Sequence, residues 1–219
     1  KEIAAKVDMG GVKFTIAGAA KGSGMVYPDL ATMLCFIATD ALANVEFLQS
    51  ALQKAVDTSL NMVSIDGETS PSDCVFLLAN GLSAVPTGQA GLAGNEMIGF
   101  DNGEALQEVL TEVCVYLAKS IAQDGEGATK LIEVTVEGAT KHAEAQQAAQ
   151  TIASSPLVKA AIHGNDPNWG RIVAALGRSG VEVVEGRIDL YLDDICVLRR
   201  GNPIPFDREE LVMTLSNND

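Results

Sequence analysis

Between Lys21 and Ala38 the sequence passes from a glycine-rich turn, Lys21-Gly22-Ser23-Gly24, through a loop containing Pro28, into the apolar run Met33 to Ala38. Such a run bounded by turn residues fits a buried strand. The glycines let backbone come close to a neighbour or a ligand, with the Lys21 cation beside it. A P-loop is excluded, because its lysine follows the glycines and here it precedes them. On the residues alone, Lys21 reads as a solvated lysine in a turn.

The junction of loop and run is Ala31-Thr32. A threonine hydroxyl is a poor nucleophile without a base beside it. An N-terminal threonine meets that need, because its own α-amine takes the proton. That arrangement requires a cut between Ala31 and Thr32. Small Ala31 leaves room for the hydroxyl to add to its carbonyl. The plainer reading, a β-favouring threonine at a strand start, carries more weight on these residues alone.

The rest of the chain alternates strand and helix patterns. Residues 3–9 and 12–17 alternate around Gly10-Gly11, which predicts a hairpin. The pattern then decays into Gly18-Ala19-Ala20. Asn44 is placed to cap a helix from Val45 to about Leu60, with Phe47, Leu48, Ala51, Leu52, Ala55 and Val56 at helical spacing. Residues 64–72 form a polar loop around Ile65. Cys74 to Asn80 is a second candidate for a buried strand. Gly81 to Gly99 is glycine-rich and irregular, and long loops of this kind are usually functional or mobile. A helix from Gly103 to about Ala122 turns Leu106, Val109, Leu110, Val113, Leu117 and Ile121 inward.

The turn Gln123 to Lys130 ends that helix, and the composition changes near Thr129. The expected division is a domain of residues 1–128 and a smaller α+β domain of residues 129–219. In the second, a strand is expected over 131–136, then helices over about 140–154, 156–162 and 171–176. Strands are expected near 182–184, 187–192 and 195–198. Asn165 or Asp166 is a candidate cap for the helix that Pro167 starts, and a binding role fits the segment His163–Arg171 equally well. The architecture is mixed, α/β or α+β. The chain starts on a strand pattern without an initiator methionine and ends after an apolar segment with no clear closing element. It reads as part of a longer polypeptide.

A net charge of −14 argues against nucleic acid or an anionic membrane as a main partner. No apolar run is long enough to span a bilayer. Cys35, Cys74, Cys114 and Cys196 are far apart and lie mostly in apolar runs. With no Cys-x-x-Cys pair and no Cys/His cluster, neither zinc nor a disulfide framework is expected. Buried thiols in a reducing compartment are the better reading. Asp124-Gly125-Glu126-Gly127 sets Glu126 between two glycines, where a ligand-facing acid or an ordinary helix C-terminal turn fits equally well. His142 is expected in solvent.

Four blocks taken together resemble one family. They are Lys21-Gly22-Ser23-Gly24-Met25; Pro28-x-x-Ala31-Thr32-Met33-Leu34; Asp124-Gly125-Glu126-Gly127-Ala128-Thr129-Lys130; and Gly164-x-Asp166-Pro167-Asn168-Trp169-Gly170-Arg171. All four are similar, in order, to the bifunctional ornithine acetyltransferase (glutamate N-acetyltransferase) family of arginine biosynthesis. The resemblance implies a layered α/β/β/α core followed by the smaller α+β domain. It also implies self-cleavage between Ala31 and Thr32 into α and β chains, which assemble as a heterotetramer.

The reaction it implies is ping-pong: Thr32 takes an acetyl group from N-acetylornithine and passes it to glutamate. Many members also use acetyl-CoA as a donor, and no cofactor or metal is implied. Carried residue by residue, Lys21, Thr32 and Glu126 fall on substrate-binding positions. Lys21 can hold a substrate carboxylate and Glu126 a substrate amino group. Asp29-Leu30 stands where the family usually has Asn-Met. The family's oxyanion-hole Thr-Gly pair and a further substrate threonine are expected upstream of residue 1. The C-terminal substrate contacts are expected beyond residue 219. The implied setting is the cytoplasm, or an organelle matrix in a eukaryote. The competing reading is an N-terminal-nucleophile amidohydrolase or aminopeptidase on the same fold; a non-catalytic binding domain is a third.

Overall fold

The structure is a computed structural model that describes residues 1–9, 12–27, 33–68, 72–84 and 97–217. The chain divides into two compact units, residues 1–126 and 127–219.

In the first unit, β1 (Glu2–Met9) and β2 (Val12–Lys21) pair antiparallel, from Glu2 opposite Ala19 to Met9 opposite Val12. The hairpin follows from the alternation in both segments; its Gly10-Gly11 tip lies outside the described residues. β3 (Leu34–Thr39) joins β2 antiparallel, and β4 (Cys74–Ala79) joins β3 parallel, giving the order β1-β2-β3-β4. A parallel neighbour requires a crossover, and α1 (Val45–Asp57) supplies it. The Asn44 side chain caps α1 by accepting the Phe47 N–H at 3.0 Å. The helix ends three residues earlier than its apolar pattern suggested, and Leu60–Met62 tightens into a 3-10 turn.

α1 and α2 (Glu104–Gln123) both cover one face of the sheet. Leu106, Leu110, Val113, Leu117 and Ile121 of α2 meet Phe14, Ile16, Cys35 and Ile37 of the strands in one buried cluster. Each such large side chain contributes about 1.5–3 kcal/mol by leaving water. β2 runs on through Gly18-Ala19-Ala20 to Lys21 because β3 pairs with it there, and β1 as far as Ala19. A Cβ at Gly18 would lie 2.9 Å from Leu117 Cδ1 and 3.0 Å from Val113 Cγ1. The missing side chain is what lets α2 seat directly on the strand.

The two apolar runs expected as buried strands are only half covered. In β3, Cys35, Ile37 and Thr39 are buried while Phe36 is 50% exposed. β4 is an edge strand of the four, with Phe76 45% and Leu78 59% exposed. Phe36 and Phe76 are register partners and stack with ring centroids 5.2 Å apart. Among the described residues this unit supplies one sheet and one helical layer, half of the expected α/β/β/α sandwich. On the other face, nothing among the described residues covers Phe36, Phe76 or Leu78.

In the second unit, α3 (His142–Ala153), α4 (Pro156–His163) and α5 (Trp169–Gly177) pack through Ile152, Val158 and Ala175. His142 is exposed, as expected. A small antiparallel sheet, β5 (Leu190–Leu192), β6 (Ile195–Arg199) and β7 (Asn202–Pro203), packs through Leu192 and Val197 against Leu211 and Leu215 of α6 (Arg208–Asn217). The alternating residues 131–136 and residues 182–184 form no strand, because no described segment pairs with them. α6 was not anticipated. Its signal is Asp207, whose Oδ1 accepts the N–H groups of Glu209 and Glu210 at 2.9 and 3.0 Å, followed by acids in the first turn.

Candidate active site

Lys21 is the last residue of β2, opposite Leu34 at the start of β3. Its neighbour Ala20 is buried towards the helices, so strand alternation puts Lys21 on the helix-free face, where it is exposed. Beyond it the chain turns through Gly22–Met25, and Met25 adopts a left-handed backbone (φ 54°). Such a conformation is uncommon outside glycine and points to a turn held from outside. The holding groups are two. The Asp66 carboxylate accepts the Met25 N–H through Oδ2 at 2.5 Å and the Val26 N–H through Oδ1 at 3.2 Å. The Glu126 N–H donates to the Ser23 carbonyl at 2.6 Å.

That last bond brings the first and third sequence blocks together. Glu126 lies just past the end of α2, and its exposed side chain reaches over Gly24. A Cβ at Gly24 would stand 3.2 Å from Glu126 Oε2 and 3.8 Å from Asp66 Oδ2. A side chain at 24 would press on the Glu126 carboxylate, while Asp66 lies at ordinary contact distance. Lys1 Nζ adds a brace, donating to the Gly22 carbonyl at 2.9 Å and to Asp124 Oδ2 at 2.5 Å. The Lys1 ammonium holds the Asp124 carboxyl below the usual carboxylate range.

Ala31 and Thr32 lie outside the described residues, as does most of the glycine-rich stretch between Gly81 and Gly99. Met33, which follows Thr32, is buried, and its N–H donates to Asp73 Oδ1 at 2.7 Å. Asp73 was not singled out in the sequence; its signal was its place one residue before the β4 run. A cavity of about 430 Å³ opens here, lined by Val26, Met33, Leu52, Leu60, Asp73 and Ile121 among others. Asp73 is the one charged side chain among its described lining residues. Burial pushes the Asp73 carboxyl up, and the Met33 N–H opposes that rise.

The fourth block belongs to the second unit and contacts the end of the third. Thr129 Oγ1 and His163 Nδ1 are 2.7 Å apart, and Lys130 Nζ donates to Asn165 Oδ1 and to the Leu215 carbonyl. Neither Asn165 nor Asp166 caps α5. The N-cap is Asn168, which makes no side-chain cap bond; its Nδ2 donates instead to Asp166 Oδ2 at 3.0 Å. Asn165 takes the left-handed backbone (φ 53°) that closes the turn. These contacts shape the block into the turn that leads into α5.

No described helix is long and apolar enough to cross a membrane. All four cysteines are free; Cys35 and Cys114 are buried, Cys74 and Cys196 only partly so. Among the described residues no group of three or more His, Cys, Asp or Glu side chains is arranged to hold a metal.

The first unit is thus an α/β domain with a cation, a glycine turn and paired carboxylates gathered near one end of its sheet. Residues 1–219 match the model of the ArgJ family, and the chain belongs to that family. The arginine biosynthesis bifunctional protein ArgJ of Dehalococcoides mccartyi is 51% identical over 211 residues, covering 96% of this chain and 50% of that protein. Its counterpart of the same name in Symbiobacterium thermophilum is 45% identical over 219 residues, all of this chain and 52% of that protein. The crystal structure of the arginine biosynthesis bifunctional protein from Bacillus halodurans superposes with a TM-score of 0.76 at 40% identity. It covers 82% of this chain and 81% of that one. The chain spans about half the length of the curated relatives it matches.

Proposed function

We propose that the protein containing this chain is an acetyltransferase of arginine biosynthesis that moves an acetyl group from N-acetylornithine to glutamate through Thr32. The observation that carries the reading is the Ser23–Glu126 contact within a chain of the ArgJ family, which draws two of its motifs into one turn. The names of the relatives, which place those proteins in arginine biosynthesis, favour transfer over the hydrolase reading.

In self-cleavage the Thr32 hydroxyl oxygen adds to the Ala31 carbonyl and the C–N bond breaks. The hydroxyl proton goes to the departing nitrogen, which becomes the free α-amine. Water then opens the resulting ester, leaving the Ala31 carboxylate and the Thr32 hydroxyl. In transfer that α-amine takes the hydroxyl proton as Oγ1 attacks the acetyl carbonyl, and ornithine leaves carrying the proton. Glutamate's amine then accepts the acetyl group and restores the threonine. Lys21 holds a substrate carboxylate and Glu126 a substrate amino group, with charge-assisted hydrogen bonds as the binding force.

Further parts of the reading follow from the family. Acetyl-CoA serves as an additional donor and no resident cofactor is needed. The α and β chains assemble as a heterotetramer, and a second sheet covers the Phe36–Phe76 face. Four free cysteines fit a reducing compartment, the cytoplasm or an organelle matrix.

The test uses the full-length protein. Incubation with N-acetylornithine should add one acetyl mass to the Thr32 chain, and glutamate should discharge it as N-acetylglutamate. Free acetate in its place would mean hydrolysis. A Thr32→Ala variant that still cleaves and transfers would sink the proposal.

A further inference from the structure

The segment between Val63 and β4 touches the chain on both sides of residues 28–32. On the upstream side, the Ile65 N–H donates to the Val26 carbonyl at 2.8 Å, while Asp66 accepts from Met25 at 2.5 Å and Val26 at 3.2 Å. On the downstream side, Asp73 accepts the Met33 N–H at 2.7 Å, and the Cys74 N–H donates to the Met33 carbonyl at 3.2 Å. Val26 and Met33 are both buried, so these anchors sit in the core. One connecting segment therefore grips both flanks of the stretch that contains Ala31-Thr32.

The grip uses charge where backbone pairing ends. The Met33 N–H lies just before the β2–β3 ladder begins at Leu34, and the backbone N–H groups of Met25 and Val26 lie beyond its end at Lys21. Carboxylate acceptors make shorter and stronger bonds to such groups than neutral ones do. Asp66 is itself fixed, since its Oδ1 also accepts the Glu68 N–H at 3.1 Å.

We infer that Asp66 and Asp73 are positioning residues for the nucleophile. They hold the two flanks of the Ala31-Thr32 segment in register, so that the threonine hydroxyl is presented first to the Ala31 carbonyl and then to the acetyl donor. The inference rests on Thr32 being the nucleophile. Misplacement by about an ångström is enough to slow a reaction of this kind on the order of a hundredfold. A positioning role should therefore appear in rate rather than in substrate affinity.

The experiment compares Asp73→Ala, Asp73→Asn, Asp66→Ala and Thr32→Ala in the full-length protein. Self-cleavage is followed on denaturing gels, kcat and KM are measured for glutamate and N-acetylornithine, and stability is measured by urea unfolding. Asp73→Ala should slow self-cleavage at least tenfold. Material that does become cut should show kcat down at least tenfold with KM within twofold of the parent. Asp73→Asn keeps a carbonyl acceptor for the Met33 N–H and should stay within about fivefold. Asp66→Ala should act like Asp73→Ala.

If both alanine variants cleave and turn over like the parent while Thr32→Ala is inert, the positioning inference is wrong and the nucleophile assignment stands. Should Thr32→Ala remain active, the functional reading itself fails. If Asp73→Ala does not fold, the inference is decided by Asp66→Ala and Asp73→Asn. A change in KM alone in those two would overturn it.

Discussion

The Glu126 N–H donates to the Ser23 carbonyl at 2.6 Å, tying the end of α2 to the glycine turn that follows β2. The side chain above that bond leaves little space: a Cβ at Gly24 would stand 3.2 Å from Glu126 Oε2. Gly24→Ala should therefore displace the carboxylate by a few tenths of an ångström. The backbone at 24 is not in the left-handed region, so alanine causes no strain there. Transfer activity should fall roughly tenfold, which corresponds to about 1.4 kcal/mol, with stability changed by less than about 0.5 kcal/mol. Steady-state kinetics and urea unfolding of the same preparation check both halves.

Gly18 should behave in the opposite way. Its Cβ position collides with Leu117 and Val113 of α2, far from the turn. Gly18→Ala should cost about 1–3 kcal/mol by overpacking, with kcat of the folded fraction unchanged. Shortening the opposing side chain by Leu117→Ala should make the two changes non-additive by at least about 0.5 kcal/mol in the favourable direction. A four-variant urea-unfolding cycle measures the coupling, and strict additivity would contradict the contact.

Buried thiols give the fold a weakness at alkaline pH. Burial pushes Cys35 from the ordinary 9.0 up to about 11, and burial with Cys35 nearby pushes Cys114 to about 12. In the unfolded chain both thiols ionise above about pH 9; in the folded protein they stay protonated. The unfolded state then binds fewer protons, so stability falls as pH rises from about 9 towards 11. Each thiol contributes a slope of about 1.4 kcal/mol per pH unit in that window. Cys35→Ala and Cys114→Ala should each flatten the profile by that amount. In the native state at neutral pH both should resist iodoacetamide, whereas the partly exposed Cys74 and Cys196 should react first.

The Phe36–Phe76 stack offers a test of the proposed second sheet. Each ring is about half exposed in this chain. A half-exposed pair gives up about 1 kcal/mol when one ring is removed, counting its stacking alone. If a second sheet covers the face in the full-length protein, Phe76→Ala should cost about 3 kcal/mol or more. Unfolding of the full-length variant distinguishes the two values.

Much of the first unit was legible because its signals are local. The β1–β2 alternation, the Asn44 cap and the Leu106–Ile121 stripe each encode one element within a short window. What stayed hidden depends on partners distant in sequence. Met33–Ala38 and Cys74–Asn80 looked buried because their composition is apolar. Whether a strand is covered depends on what packs over it, and here nothing described covers Phe36 or Leu78. Residues 131–136 alternate like a strand but have no described partner to pair with.

The site divides in the same way. Lys21, Thr32 and Glu126 were nominated by motif, and the structure links the neighbourhoods of Lys21 and Glu126 through the Ser23–Glu126 backbone bond and the Lys1 brace between Gly22 and Asp124. Asp66 and Asp73 were not nominated. A carboxylate that accepts a backbone N–H forty residues away leaves no periodic trace in the chain.

The β2–β3 ladder gives a cut between Ala31 and Thr32 an unusual meaning. The piece ending at Ala31 would carry β1 and β2, while β3, β4 and both helices would remain with the other. Ile16 through Lys21 lie hydrogen-bonded opposite Thr39 through Leu34, and Phe14 and Ile16 sit in the same core as Leu110 and Leu117. Hydrolysis there would nick a single sheet and core rather than divide them. The products should co-migrate on gel filtration, and the strands on either side of the cut should melt together, parting only in denaturant. The two polypeptides would stay together under native conditions because the four-stranded sheet is divided between them.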